Sequence, residues 1–208
     1  MTDSTSTPEK TANNQPQCPT GEDDCHIIDE LVDLRQALAE LSELVRTDPL
    51  TGLANYRYFS QALEQEIERT QRSGQPTTLI MLDIDFFKKV NDQWGHEIGN
   101  QALIHLAKLM LQTVRKLDIP CRYGGEEFTM VLPDTTLEGG WRVAENMRQA
   151  VLDKAIPHEK SKAADCVTLS LGVASYFGQI DTPEQLLKQA DDALYQAKQK
   201  GRNRVELA

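Results

Sequence analysis

The sequence predicts an α+β fold in which helices pack against a central sheet, and three observations carry that expectation. Apolar residues recur at helical spacing in segments such as 137–152 and 184–199. Two runs between helical segments have strand character: Leu79 to Asp85, apolar and bounded by turn signals, and Val167, Leu169, Leu171 and Val173 in strict alternation. Finally, "CRYGGEEF", residues 121–128, sets paired glycines between two apolar flanks, as a hairpin does.

Taken in order, residues 1–25 carry Thr, Ser, Asn, Pro, Gln and acidic side chains with hardly an aliphatic one, and read as a disordered tail. Ile27, Leu31, Leu34, Leu38, Leu41 and Val45 then form a heptad seam, so 26–46 is predicted to be a narrow-faced amphipathic helix that pairs with a second chain. Asp48-Pro49 and Gly52 punctuate the chain before a helix with Phe59, Leu63 and Ile67 on one face. "GQPTT" ends that helix and the strand 79–85 follows. The polar segment Lys88–Gly99 reads as a loop leading into a helix with Leu103, Leu106, Met110 and Val114. The hairpin occupies about 120–132, a helix 137–152, a strand the region of 167–173, a helix 184–199 capped by Gly201, and a last short strand Val205–Leu207. The domain after the N-terminal helix therefore spans 47–208.

The totals exclude several function classes. Net charge is −10, yet residues 1–46 hold ten acidic and three basic side chains and the remaining 162 hold 22 and 19. The body is nearly neutral and has no basic stripe to track a nucleic-acid backbone. No apolar run approaches the roughly 18 residues of a membrane span. The N-terminus has no basic and apolar leader, which makes the cytoplasm the expected compartment. Four scattered cysteines suggest no disulfides, and Cys18, Cys25 and His26 match no recognised zinc spacing.

The chemistry concentrates in carboxylates. Asp83 and Asp85 lie two apart at a strand end and face the same way. A carboxylate there is costly unless paired, hydrogen-bonded or metal-bound. Gly124-Gly125 suits the two-residue turn, and Glu126 or Glu127 would stand beside Asp83 if the hairpin neighbours that strand. Such hard oxygen donors suit magnesium, with manganese as the alternative, shared with substrate phosphates. Lys88, Lys198 and Arg202 are candidate phosphate cations, while Asn91 and His96 fall in the polar loop.

Five motifs in this order make the chain recognisable: "DPLTGLANYRYF" (48–59), "DIDFFKKVNDQWGHEIGN" (83–100), "RYGGEEF" (122–128), "LSLGVA" (169–174) and "ADDALYQAKQKGRN" (190–203). Over about residues 46–207 the sequence resembles the GGDEF-domain diguanylate cyclases, in the GGEEF form. The resemblance implies a palm-like nucleotidyl cyclase (ferredoxin-like) core with a mainly antiparallel sheet. It also implies conversion of two GTP to cyclic di-GMP, with each of two facing domains holding one GTP, hence a homodimer. By motif position Asp83, the Ile84 carbonyl, Glu126 and Glu127 match the metal and catalytic positions, with Lys88 also in the catalytic set. Phe86, Phe87 and Lys88 match the phosphate cradle, helped by Gly124, Gly125, Lys198 and Arg202. Asn91 and His96 match substrate contacts. Asn100 stands where the family usually has a guanine-binding aspartate, a departure that bears on base specificity because an amide offers one acceptor and one donor. "RKLD" (115–118) matches the family's Arg-x-x-Asp inhibitory site, so Arg115 and Asp118, with Arg142 and Arg148 as secondary contacts, are expected to bind cyclic di-GMP. The alternative is a catalytically silent receptor for that product.

Overall fold

The strand predicted at 79–85 is the axis of the sheet. In a computed structural model, which describes residues 26–44, 46–153, 167–178 and 182–208, it runs as β2 (Thr77–Ile84) with all eight residues buried. A strand covered on both faces needs no polar alternation, which explains its continuous apolar run. Five further strands join it: β1 (Ala54–Asn55), β3 (Ile119–Gly124), β4 (Glu127–Leu132), β5 (Leu169–Tyr176) and β6 (Arg204–Leu207). Their order is β1-β3-β4-β2-β5-β6. The three inner pairings, β3–β4, β4–β2 and β2–β5, are antiparallel, and the outer two, β1–β3 and β5–β6, are parallel. The sheet is mixed and mainly antiparallel, as expected.

Helices cover both faces. On one, α2 (Tyr56–Ser73) and α6 (Pro183–Gln199) set Phe59, Leu63, Ile67, Leu186 and Leu194 against Leu79, Met81 and Val131. On the other, α3 (Phe87–Trp94), α4 (His96–Thr113) and α5 (Leu137–Asp153) bring Phe87, Leu106, Met110 and Met147 against Ile80, Leu82, Phe128 and Leu171. Odd and even residues of β2 thus feed different cores, the strand period made physical. Helix α6 crosses β5 closely enough that a Cβ on Gly172 would lie 2.1 Å from the Ala190 carbonyl oxygen and 2.2 Å from the Leu194 nitrogen. The glycine of "LSLGVA" is a packing requirement of the helix that carries Lys198.

Two expectations need correction. The segment Lys88–Gly99 is not a loop: it is α3 and the start of α4, broken at Gly95 (φ 85°). Phe87 and Val90 are the buried residues of α3, too short a pattern to register as periodicity. Asn91 and His96 are therefore helical residues. The hairpin turn is Gly125-Glu126, because Gly124 still pairs with Glu127. Gly125 takes the positive φ, 53°, where a side chain would be strained. Strand β1, only two residues long, was not anticipated.

Helix α1 (His26–Leu44) belongs to a separate unit and is described by itself. Ile27, Leu31, Leu34, Leu38 and Leu41 of its seam are all exposed. Val45 and the tail 1–25, including Cys18 and Cys25, lie outside the described residues. No helix among the described residues is long and apolar enough to cross a membrane.

Candidate active site

The signature hairpin is fastened from outside its own strands. Arg122 donates through Nε and Nη2 to the Gly125 carbonyl, at 3.1 and 2.9 Å, and through Nη1 to both carboxylate oxygens of Asp48, each at 3.2 Å. Asp48 also accepts from the Thr51 amide at 2.8 Å and the Thr51 hydroxyl at 2.7 Å. Burial opposes the charge on Asp48, but the Thr51 hydrogen bonds and the Arg122 guanidinium together hold its carboxyl below the usual range. Sequence reasoning quoted both motifs and gave neither residue a role. Only the fold shows that a carboxylate near the domain's start braces the turn carrying Glu126.

Within that frame the carboxylates meet across paired strands. Asp83 on β2 is directly opposite Glu127 on β4, and Glu126 follows Gly125 in the turn. Asp83 is 8% exposed, and its Oδ2 lies 2.9 Å from the Lys198 ammonium of α6. Burial raises the Asp83 carboxyl above its usual range; Lys198 opposes the shift, and the charges of Glu126 and Glu127 add to it. Three carboxylates thus share this corner with the Lys198 ammonium, and burial is the main reason the charge on Asp83 is costly. A Cβ built on Gly124 or Gly125 would meet nothing within 4 Å, so the space over the turn is open.

This donor set fits a hard divalent cation. Among the described residues no group of three or more acidic, histidine or cysteine side chains is gathered closely enough to hold one alone. Of the two or three oxygen donors expected to converge there, Asp83 and Glu127 face each other across the paired strands. Magnesium ordinarily takes one or two carboxylates and completes its shell with substrate phosphates and water. Asp83, the Ile84 carbonyl, Glu126 and Glu127 supply that kind of partial shell.

Asp85 turns to structural work. It accepts from the Ser170 hydroxyl at 2.6 Å, the Thr168 hydroxyl at 2.7 Å and the Asn203 amide at 3.0 Å. It thereby pins the loop after α6 to the end of β2. Beyond it, Phe86 caps α3 in the left-handed region and its ring is 51% exposed, whereas Phe87 is buried in the core. Any contact of Phe87 with substrate is through its backbone. Lys88 is exposed on the first turn of α3.

At the junction of α3 and α4 the Asn91 Oδ1 is buried without a hydrogen-bond partner. It sits over Gly99, where a Cβ would approach within 1.9 Å. His96 and Asn100 are exposed, and their four-residue separation places them on one face of α4. The sequence-predicted substrate contacts Asn91, His96 and Asn100 thus share one helix junction, around an amide oxygen without a hydrogen-bond partner.

The Arg-x-x-Asp pair closes the turn between α4 and β3. The Arg115 amide donates to Asp118 Oδ2 at 2.7 Å, and the Asp118 amide donates back to the Arg115 carbonyl at 3.1 Å. Arg115 is exposed while Asp118 is 9% exposed. Burial raises the Asp118 carboxyl, opposed by the Arg115 amide and charge. Arg142 pairs with Glu138 on exposed helix surface. Arg148 binds both Glu145 oxygens, at 2.9 and 2.6 Å, and the Asn203 side-chain oxygen at 2.9 Å, tying α5 to the pinned loop.

Comparison with known proteins bears directly on this arrangement. Residues 45–204 match the family model described as diguanylate cyclase, GGDEF domain. The response regulator PleD of Caulobacter vibrioides is 45% identical over 172 residues, which is 83% of this chain and 38% of PleD. Diguanylate cyclase A of Treponema denticola is 38% identical over 173 residues, 82% of this chain and 46% of that protein. The chain thus spans less than half the length of either relative. Among solved structures, the coiled coil and GGDEF domain of DgcB from Caulobacter crescentus, in complex with cyclic di-GMP, superposes with a TM-score of 0.75 at 30% identity, covering 86% of this chain and 94% of that one.

Proposed function

Because the chain belongs to the GGDEF-domain diguanylate cyclase family, we propose that it condenses two GTP into cyclic di-GMP with release of two pyrophosphates. The observation that supports this reading best is the buried Asp83 opposite Glu127, with Lys198 on its carboxylate and an open glycine turn beside it. Degenerate binding domains lose such residues; Asp83, Lys88, Glu126 and Glu127 are all retained here.

In the proposed reaction the 3′-oxygen of one GTP bonds to the α-phosphorus of the other, and the bond from that phosphorus to pyrophosphate breaks. The same step in the opposite sense closes the ring. The hydroxyl proton passes to one of the hairpin carboxylates, Glu126 or Glu127, whichever is not engaged with the cation. Lys198, Lys88 and Arg202 bind the charged phosphates, and the backbone amides at the start of α3 orient them. Asn91, His96 and Asn100 orient the guanine. Magnesium, or manganese in its place, held by Asp83, the Ile84 carbonyl, Glu126 and Glu127, would supply charge stabilisation on the phosphoryl oxygens. Since one domain offers one such site, two copies must face each other, and the seam of α1 is the element proposed to bring them together. Cyclic di-GMP is proposed to bind back at Arg115 and Asp118 and slow turnover, with Arg142 more available for a secondary contact than the already committed Arg148.

Pyrophosphate release from GTP tests the assignment. The wild-type chain with magnesium should turn over, and Glu127→Gln should slow it by about 100-fold or more while the melting temperature holds. Turnover that survives the substitution would overturn the role of the hairpin carboxylate.

A further inference from the structure

Phe86 belongs to the phosphate cradle through its backbone, which leaves its side chain, a neighbour of the triphosphate cations, without a role. The Phe86 ring lies 4.5 Å from the Arg202 guanidinium carbon and 4.5 Å from the Lys89 ammonium. Those two cations come from different elements, the turn after α6 and the first turns of α3. Phe86 is half exposed, so the ring is not there to fill a core. Its backbone is moreover in the left-handed region, φ 56°, where a bulky side chain is disfavoured and glycine or asparagine is usual. Arg202 shares that conformation, φ 66°, beside Asn203 at φ 47°. The two left-handed segments are tied by the Asn203 amide donating to Asp85, the residue that precedes Phe86. An aromatic residue kept at a strained, exposed position needs a reason in what its face does.

We propose that the Phe86 ring is a positioning platform that gathers Arg202 and Lys89 beside the phosphate-binding edge of the site and orients the Arg202 guanidinium for the triphosphate. The proposal rests on the reading of this site as one for GTP and adds Lys89 to its cations. Two long cationic side chains would otherwise lose much rotameric freedom on binding an anion; held against a ring beforehand, they lose less. A quadrupole face holds a guanidinium or ammonium without neutralising it, as a carboxylate partner would. The cations thus stay available to phosphate while their positions are restricted. Phe86 acts through Arg202 and Lys89, and its effect should fall on phosphate affinity.

Phe86→Gly separates this role from a structural one, because glycine suits the left-handed backbone and removes only the ring. Binding of GTP and of GMP is measured by titration calorimetry with magnesium, alongside melting temperature and steady-state rates. GTP affinity should fall about five- to tenfold, the scale of two partly exposed cation–π contacts. GMP binding and melting temperature should hold, and KM should rise with kcat nearly unchanged. Phe86→Trp, which keeps an aromatic face, should restore GTP affinity where Phe86→Leu does not. In an Arg202→Ala background, Phe86→Gly should cost about twofold at most. Equal losses for GTP and GMP, unchanged GTP affinity in Phe86→Gly, or loss of GTP affinity in Phe86→Trp to the same extent as in Phe86→Leu would each overturn the proposal. A wild-type chain that binds GTP but forms no cyclic di-GMP would sink the cyclase reading while leaving this test intact; one that binds no GTP would sink both.

Discussion

Buried Asp83 and half-buried Asp48 are carboxylates treated oppositely by their surroundings, and each makes a prediction. Asp83 is raised chiefly by burial, which its contact with Lys198 opposes without overcoming, and the two nearby glutamates add to the shift. Its charge is thus kept at a cost to stability, as groups placed for binding often are. Asp83→Asn should lower GTP turnover by about 100-fold or more while leaving the melting temperature of the nucleotide-free protein unchanged or higher. A clear drop in melting temperature would show that the Lys198 pair dominates instead. Asp48 has the reverse sign. Its carboxyl titrates lower in the folded chain than the ordinary aspartate value, so its contribution to stability is present above that ordinary value and is lost as pH falls through the lowered one. Asp48→Asn should therefore lower the urea midpoint by a constant amount between about pH 5 and 7, with the difference shrinking below about pH 4. At pH 7 the loss should be about 1–3 kcal/mol, since Arg122 is left largely buried without its carboxylate. A difference that persists undiminished in acid would contradict the Arg122–Thr51 account of that carboxylate.

Helix α6 is the element on which the site depends most, because it delivers Lys198 and leads into Arg202 and Asn203. Its seat on β5 is set by Gly172. A methyl group there has backbone on the other side, so Gly172→Ala should destabilise the fold by about 1–3 kcal/mol and weaken GTP binding as α6 moves off β5. Equal GTP affinity in a destabilised Gly172→Ala protein would show that the helix shift does not reach Lys198. The sequence made the longer elements legible for a plain reason. Phe59, Leu63 and Ile67 on α2, or Leu187, Ala190, Leu194 and Ala197 on α6, repeat over enough turns to reveal a period. Helix α3 has only Phe87 and Val90 to bury among charged neighbours, and β1 contributes two residues, so neither generates a pattern. The hairpin turn was displaced by one residue because Gly124 and Gly125 look alike in sequence, and only cross-strand pairing decides which one bends.

For the whole molecule, motif spacing marked which residues matter but not what holds them. The Asp48–Arg122 brace joins positions 74 apart. The Asp83–Lys198 contact and the Arg202–Phe86 contact join the end of β2 to the end of α6, two segments that become neighbours only once α6 packs across β2 and β5. Such distances carry no periodic trace. The seam of α1 presents the complementary case, legible in sequence and exposed along its described length. Removing residues 1–46 should therefore lower specific activity steeply at low protein concentration and restore it as concentration rises, the signature of a weakened encounter between two copies. Activity independent of that deletion at every concentration would remove α1 from the mechanism. The central claim is the product itself. Chromatography of the nucleotides formed from GTP and magnesium, with an ATP-only reaction beside it and a cyclic di-GMP phosphodiesterase added in parallel to relieve product inhibition, tests it most directly. Cyclic di-GMP from GTP, with its linear breakdown product in the phosphodiesterase arm and no cyclic product from ATP, is the predicted result and would show that Asn100 supports guanine selection. Intact GTP in every arm, with tight binding of added cyclic di-GMP, would contradict the account and make the chain a receptor.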